Sequence, residues 1–156
     1  MRHRIYAHVV WTTRGRARFI DLRVARFLDR FLRDVARQER TLVLEAGMVQ
    51  NHVHLLIRQH PTTSIPRLLQ RLKGGSAVVA DKERHAAIPL RWAKGYTIES
   101  VGKNTLADAR AYVRDQPRRH PDLAIPGWVP ANPVTGTREE EWIGENRTWI
   151  RGRHDP

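Results

Sequence analysis

Apolar and polar positions alternate along the first stretch of the chain, with Ile5, Ala7, Val9 and Trp11 on one side and Tyr6, His8 and Val10 on the other. This two-residue period predicts a strand over Ile5–Thr12. The period then becomes helical: Val24, Phe27, Leu28, Phe31, Leu32 and Val35 form one stripe behind Asp21, a side chain suited to cap a helix start. Two adjoining strands come next, over Thr41–Gln50 and His52–Gln59, and are expected to pair antiparallel, with Gly47 marking a turn or bulge. Ser64 and Pro66 open a second helix whose buried stripe is Ile65, Leu68, Leu69 and Leu72. Lys73-Gly74-Gly75-Ser76 interrupts it. Each glycine weakens a helix by roughly 1 kcal/mol relative to alanine, so either the helix breaks there or a close approach requires the glycines.

Arg91–Val101 reads as a fourth strand, with aromatic residues at Trp92 and Tyr96 and a bulge at Gly95. Thr105 and Asp108 resemble a capping box opening a third helix, which runs through Gln116 and is halted by Pro117. The order β-α-β-β-α-β-α predicts an α+β fold: a ferredoxin-like antiparallel sheet with helices covering one face. Residues 1–120 make up this domain. Residues 121–156 differ in character, being rich in proline and glycine but also holding Trp128, Trp142 and Trp149, and are expected to be an irregular extension packed on the same domain.

Composition narrows the partners. Over 156 residues, 28 Lys+Arg stand against 16 Asp+Glu, a formal charge of +12 spread along the whole chain. A folded domain carrying such a field suits a polyanion, and with the aromatic residues it points to nucleic acid. Arg14, Arg16 and Arg18 in the short loop after the first strand, and Lys73 beside the two glycines, are the candidate phosphate contacts. Cysteine is absent, which excludes disulfides and thiolate metal sites. No apolar run is long enough to span a bilayer, and the start lacks an apolar signal core, so a cytoplasmic, nucleoid-associated protein is expected.

The chemistry concentrates in Asn51-His52-Val53-His54. In a strand, positions i and i+2 point the same way, so His52 and His54 project together while Val53, Leu55 and Ile57 fill the opposite face. Two neighbouring imidazoles make a metal ion the obvious candidate ligand. His8 stands alone in its strand and reads as a hydrogen-bonded residue at the edge of the core. On the third helix, Tyr112 and Gln116 are four residues apart and share a face. A phenol can act as an oxygen nucleophile and an amide oxygen can ligate a hard cation, if that face meets the histidine strand.

His52-Val53-His54 followed by Leu-Leu-Ile, Trp92 with Gly95-Tyr96, and Tyr112-Val-Arg-Asp-Gln116 closely resemble the single-tyrosine HUH transposases of insertion sequences and the related REP-associated tyrosine transposases. The resemblance runs from about Ile5 to His120. It implies Tyr112 as nucleophile, a divalent cation, Mg2+ or Mn2+, on His52, His54 and Gln116, and a 5′-phosphotyrosine intermediate on single-stranded DNA with hairpin ends. It also implies a homodimer in which the tyrosine helix of one chain completes the histidine site of the other. Two positions depart from the pattern: Val49-Gln50-Asn51 stands where the family often has a proline and an acidic residue, and Pro117 comes directly after Gln116, pushing it away from helical geometry. The alternatives are a domesticated hairpin-binding or processing protein without transposition, and a small HUH nicking enzyme. A phosphodiesterase built on two His-x-Thr motifs is excluded, because the chain contains no His-x-Thr.

Overall fold

The computed structural model describes residues 3–130. Four strands, β1 (Ile5–Thr12), β2 (Thr41–Val49), β3 (His52–Gln59) and β4 (Thr97–Val101), form one sheet in the order β2-β3-β1-β4, with every neighbouring pair antiparallel. The long helices are α1 (Leu22–Gln38) and α2 (Ile65–Lys82); α3 (Leu106–Arg114) and the single turn α4 (Gln116–Arg119) come last. This is the ferredoxin-like arrangement expected from the element order.

Strand parity sorts the side chains. Ala7, Val9, Trp11, Val43, Ala46, Met48, Val53, Leu55 and Ile57 pack with Val24, Leu28 and Leu32 of α1 and Leu68, Leu69 and Leu72 of α2 in the main core. The other face carries a smaller cluster, Tyr6, Leu42, Leu44, Leu56 and Val113, which seats α3. The expectation that the helices cover one face is thereby corrected: α3 lies across the sheet from α1 and α2. All nine residues of β2 are buried, because both its faces are covered.

Cap chemistry holds at the first two helix starts. Asp21 Oδ1 accepts from the Val24 amide at 2.9 Å and Ser64 Oγ from the Arg67 amide at 3.4 Å. The third helix is different. Thr105 Oγ1 donates instead to the Gly102 carbonyl, so no capping box forms, and α3 ends at Arg114, short of Gln116. Pro117 explains the break, since it has no N–H to donate to the Val113 carbonyl. Gln116 opens α4 instead.

Two further expectations are corrected. The helix α2 runs unbroken through Lys73-Gly74-Gly75-Ser76. A Cβ on Gly75 would lie 3.1 Å from the Phe31 ring, so this glycine serves the close approach of α1, by a side chain and not a backbone. The fourth strand keeps only Thr97–Val101 of the expected Arg91–Val101. Before it, Gly95 has φ +79°, Trp92 forms an isolated bridge with Thr13, and Lys73 Nζ donates to the Ala93 and Gly95 carbonyls. That backbone is satisfied by a turn and a side chain, leaving no ladder to extend.

Gly47 sits inside β2, and the bulge falls between Val43 and Glu45. The extra residue inverts the parity of the rest of the strand, which places Gly47 opposite His54 and Val49 opposite His52 on the α3 face. A Cβ on Gly47 would come within 1.8 Å of the Val113 carbonyl oxygen and 3.2 Å of Gln116 Cγ. The tyrosine-bearing helix thus rests backbone to backbone on the sheet.

Beyond α4, the Gln50 amide donates to the Leu123 carbonyl at 2.8 Å, and Ile125 and Trp128 join the main core, so residues 121–130 pack on the same domain. The expectation for the rest of the extension, including Trp142 and Trp149, lies outside the described residues. Among those described, no helix is long and apolar enough to cross a membrane.

Replacing Gly47 by alanine is expected to cost about 1–3 kcal/mol, the usual range for overpacking. It should also lift α3 from the sheet. Chemical denaturation measures the first effect, and amide exchange localised to α3 the second.

Candidate active site

On the α3 face, β3 presents His52 and His54, with ring centroids 5.1 Å apart. Each has its Nδ1 engaged. Asn51 Oδ1 lies 2.7 Å from His52 Nδ1, and His8 Nε2 lies 2.8 Å from His54 Nδ1 with the two rings stacked at 5.0 Å. Both ligand candidates are thereby held by one ring nitrogen, leaving Nε2 for another partner.

The helix α3 adds Tyr112, its ring centroid 5.8 Å from that of His54 and 5.6 Å from that of His8. Tyr112 as a residue is 39% exposed and lines an open cavity, so it is reachable from solvent. The Arg119 guanidinium lies 4.5 Å over the Tyr112 ring, and the His120 ring lies 5.2 Å from that of His52. A cavity of about 340 Å³ opens here, lined by His8, Val10, His54, Thr97, Glu99 and Tyr112. Histidine pair and tyrosine converge within one chain.

Gln116 is fully buried, and its Nε2 donates to the Tyr112 carbonyl at 3.0 Å, while Oε1 has no hydrogen-bond partner. A buried, orphaned amide oxygen is costly unless something else satisfies it. Pro117 therefore does not remove Gln116 from the site: the turn it forces points the amide at His52, where it partly offsets the lowering of that ring's proton affinity by burial. Among the described residues, no group of three or more His, Cys, Asp or Glu could hold a metal, so a divalent ion would depend on His52 and His54 with the amide oxygen. Two neutral imidazoles and one orphaned oxygen fit such an ion.

Electrostatics keeps the centre uncharged. Burial first, then the like charges of His52, His8 and His120, push His54 from 6.5 down to about 3. Burial also lowers His52, helped by His120 and Arg16, and lowers His8, against the raising effect of Glu99. Beneath α3, burial pushes the Glu45 carboxyl up against the pull of Arg114, Arg110 and Arg33, with Arg114 at 3.9 Å.

Of the candidate phosphate contacts, Arg14, Arg16 and Arg18 are exposed on the loop beside His52, which is fastened by the Thr13 amide to the Asn51 carbonyl at 2.9 Å and by Asn51 Nδ2 to the Arg16 carbonyl at 3.4 Å. Lys73 instead lies on α2 and spends its ammonium on the two carbonyls of the Trp92–Gly95 turn. Arg119 is a neighbour of the site that the sequence alone does not single out, whereas Asn51 opens the histidine motif and His8 is the hydrogen-bonded residue expected at the core edge, its partner being His54. For His8 a signal exists: its alternation with Ala7 and Val9 puts it on the face away from the core. Its distance from His54 depends on the β1–β3 register, in which Val10 pairs with His54.

The depressed His54 gives a pH dependence whose sign is fixed. Above pH 6.5 the ring is neutral both folded and unfolded; as pH falls from there towards about 3, the unfolded chain takes up a proton that the folded chain refuses. Stability is therefore lost on acidification, by at most about 1.4 kcal/mol per pH unit from this group. Denaturant titrations between neutral pH and about pH 4.5 should show a shallower slope for His54→Gln than for the natural chain.

A family model for IS200-like transposases matches residues 1–116. The chain is 30% identical over 118 residues to the ISDra2 transposase TnpA of Deinococcus radiodurans, covering 70% of this chain and 81% of that protein. It is 26% identical over 140 residues to the transposase of insertion sequence element IS200 from Salmonella typhimurium, covering 84% and 90%. In three dimensions it is similar to a REP-associated tyrosine transposase bound to a REP hairpin, with a TM-score of 0.62 at 12% identity over 83% of this chain and 74% of that one. That likeness is one of fold. On the family match, the chain belongs to the IS200-like transposases, enzymes that cleave and join DNA.

Proposed function

We propose that this transposase cuts and rejoins single-stranded DNA at hairpin-bearing ends, with Tyr112 as nucleophile and His52, His54 and Gln116 as ligands of a divalent cation, Mg2+ or Mn2+. The observation that carries the reading is the buried, unpartnered Oε1 of Gln116 beside two neutral imidazoles and a reachable phenol. The hairpin is supported by the fold it shares with a transposase bound to one.

A phosphodiester is shielded by its own charge, and a bound cation would neutralise a nonbridging oxygen and stabilise the charge that develops at phosphorus. The chain's residues supply the rest. Tyr112 Oη bonds to phosphorus as the bond to the 3′ oxygen breaks; the phenol gives up its proton and the departing oxygen gains one. This leaves a 5′-phosphotyrosine and a free 3′-hydroxyl. Because the new ester conserves the phosphodiester bond, a 3′-hydroxyl from another strand reverses the step and rejoins DNA without a nucleotide cofactor. Arg119 steadies the ring and lies where it can meet the incoming phosphate. Arg14, Arg16 and Arg18 track the backbone beside His52, and Lys73 holds the neighbouring turn.

Incubation with labelled hairpin DNA and Mg2+ or Mn2+ is expected to give a protein–DNA adduct on a denaturing gel. The adduct should disappear with Tyr112→Phe and with a chelator, and return when the metal is restored. An undiminished adduct from Tyr112→Phe sinks the mechanism.

The resemblance further implies a dimer. Within one chain Tyr112 already faces His54, which supports a site complete in cis even if two copies associate. A mixture of Tyr112→Phe and His52→Ala chains should then remain inactive; recovery of adduct would assign the site to two chains instead.

A further inference from the structure

Glu99 is out of place for a site that receives phosphate. It is an exposed carboxylate on the wall of the cavity that holds His54 and Tyr112, and its charge would repel the substrate. Among the described residues it has no ion pair or hydrogen bond. Its neighbour lies across the strands: β1 and β4 pair His8 directly with Glu99, and both side chains line the same cavity. Side chains directly opposite on an antiparallel pair have Cβ atoms about 5 Å apart, within reach of one another.

The order of groups across the sheet is thus Glu99, His8, His54. A carboxylate opposite an imidazole on the neighbouring strand favours, through its charge and without a hydrogen bond, the tautomer whose N–H faces it, which leaves the lone pair on the other nitrogen. For His8 the other nitrogen is Nε2, 2.8 Å from His54 Nδ1. With Nε2 of His8 accepting, His54 must donate from Nδ1, and its own lone pair then resides on Nε2. The opposite polarity would put the proton on His54 Nε2 and leave nothing there to bind a cation. We infer that Glu99 and His8 are positioning residues that fix His54 in its Nδ1-protonated tautomer and so prepare its Nε2 as a metal ligand, an inference that rests on the cation site proposed above.

Asn51 does for His52 what the pair does for His54. Its Oδ1 is an obligatory acceptor at 2.7 Å from His52 Nδ1, provided its Nδ2 faces the Arg16 carbonyl as it does. Two ligands separated by one residue are thereby oriented by different means, an amide for one and a carboxylate-backed imidazole for the other. Partners of this kind orient the ligand ring and raise its basicity, and their loss typically lowers metal affinity by about 10–100-fold.

The full chain, labelled with 15N, gives two independent readouts. Imidazole 15N shifts of the metal-free protein should report His54 as protonated on Nδ1, and Glu99→Gln or His8→Phe should shift it towards the Nε2-protonated form. Calorimetric titration with Mn2+ alone should show about 10–100-fold weaker binding for His8→Phe, a smaller loss for Glu99→Gln, and rescue by His8→Gln, whose amide oxygen can accept from His54. Glu99 is exposed, so its substitution tests the chain of groups without threatening the fold. Wild-type affinity in both His8→Phe and Glu99→Gln, or a natural His54 already protonated on Nε2, overturns the inference while the cation site stands. Absence of Mn2+ binding by the natural chain, unchanged in His52→Ala, overturns the cation site and this inference with it.

Discussion

The site depends on a side chain that is missing. The Val113 carbonyl of α3 lies so close to Gly47 that no Cβ fits between them, and Gly47 pairs across the sheet with His54. The distance between Tyr112 and the histidines is therefore set by backbone contact. Such a contact has few soft degrees of freedom, unlike one made through long side chains. The bulge at Val43/Glu45 is its precondition, because only after that extra residue does Gly47 face α3. Pro117 contributes from the other side by ending the helix whose carbonyl occupies the space.

Charge is distributed in the opposite sense to function. The chain carries +12 overall, with Arg14, Arg16 and Arg18 exposed at the rim, yet the imidazoles at the centre are held neutral by burial and by one another. A positive periphery gathers a polyanion over distance, whereas a centre of charged imidazoles would repel the cation proposed to bind there. Burial resolves the conflict by refusing the second proton, so that each ring keeps one and stays uncharged.

Local features of this molecule are legible in the sequence, and long-range ones are not. Strand parity alone puts His52 and His54 together and sends Val53, Leu55 and Ile57 to the core, as found. Spacing puts Tyr112 and Gln116 on one face, and Pro117 announces the break beside Gln116. Gly47 and Gly75 look like turn or kink signals because their partners, Val113 and Phe31, are distant in the chain. The aromatic run from Arg91 has strand propensity, but its backbone partners are Thr12, Thr13 and Lys73, which no local pattern specifies. His8 likewise becomes a neighbour of His54 through register, a quantity fixed by the whole sheet.

The bond from Gln116 Nε2 to the Tyr112 carbonyl has a thermodynamic consequence. One end of the amide grips the backbone of Tyr112 and the other is an unpartnered acceptor, so a group that engaged Oε1 would be tied through one side chain to the turn that carries the phenol. Were occupancy at one end to order the other, the two would be linked functions, each raising the other by the same factor. With the roles proposed for these residues, the ligand would report on the nucleophile: loosening Tyr112 would weaken the hold at Oε1 by the same free energy that emptying Oε1 would take from Tyr112.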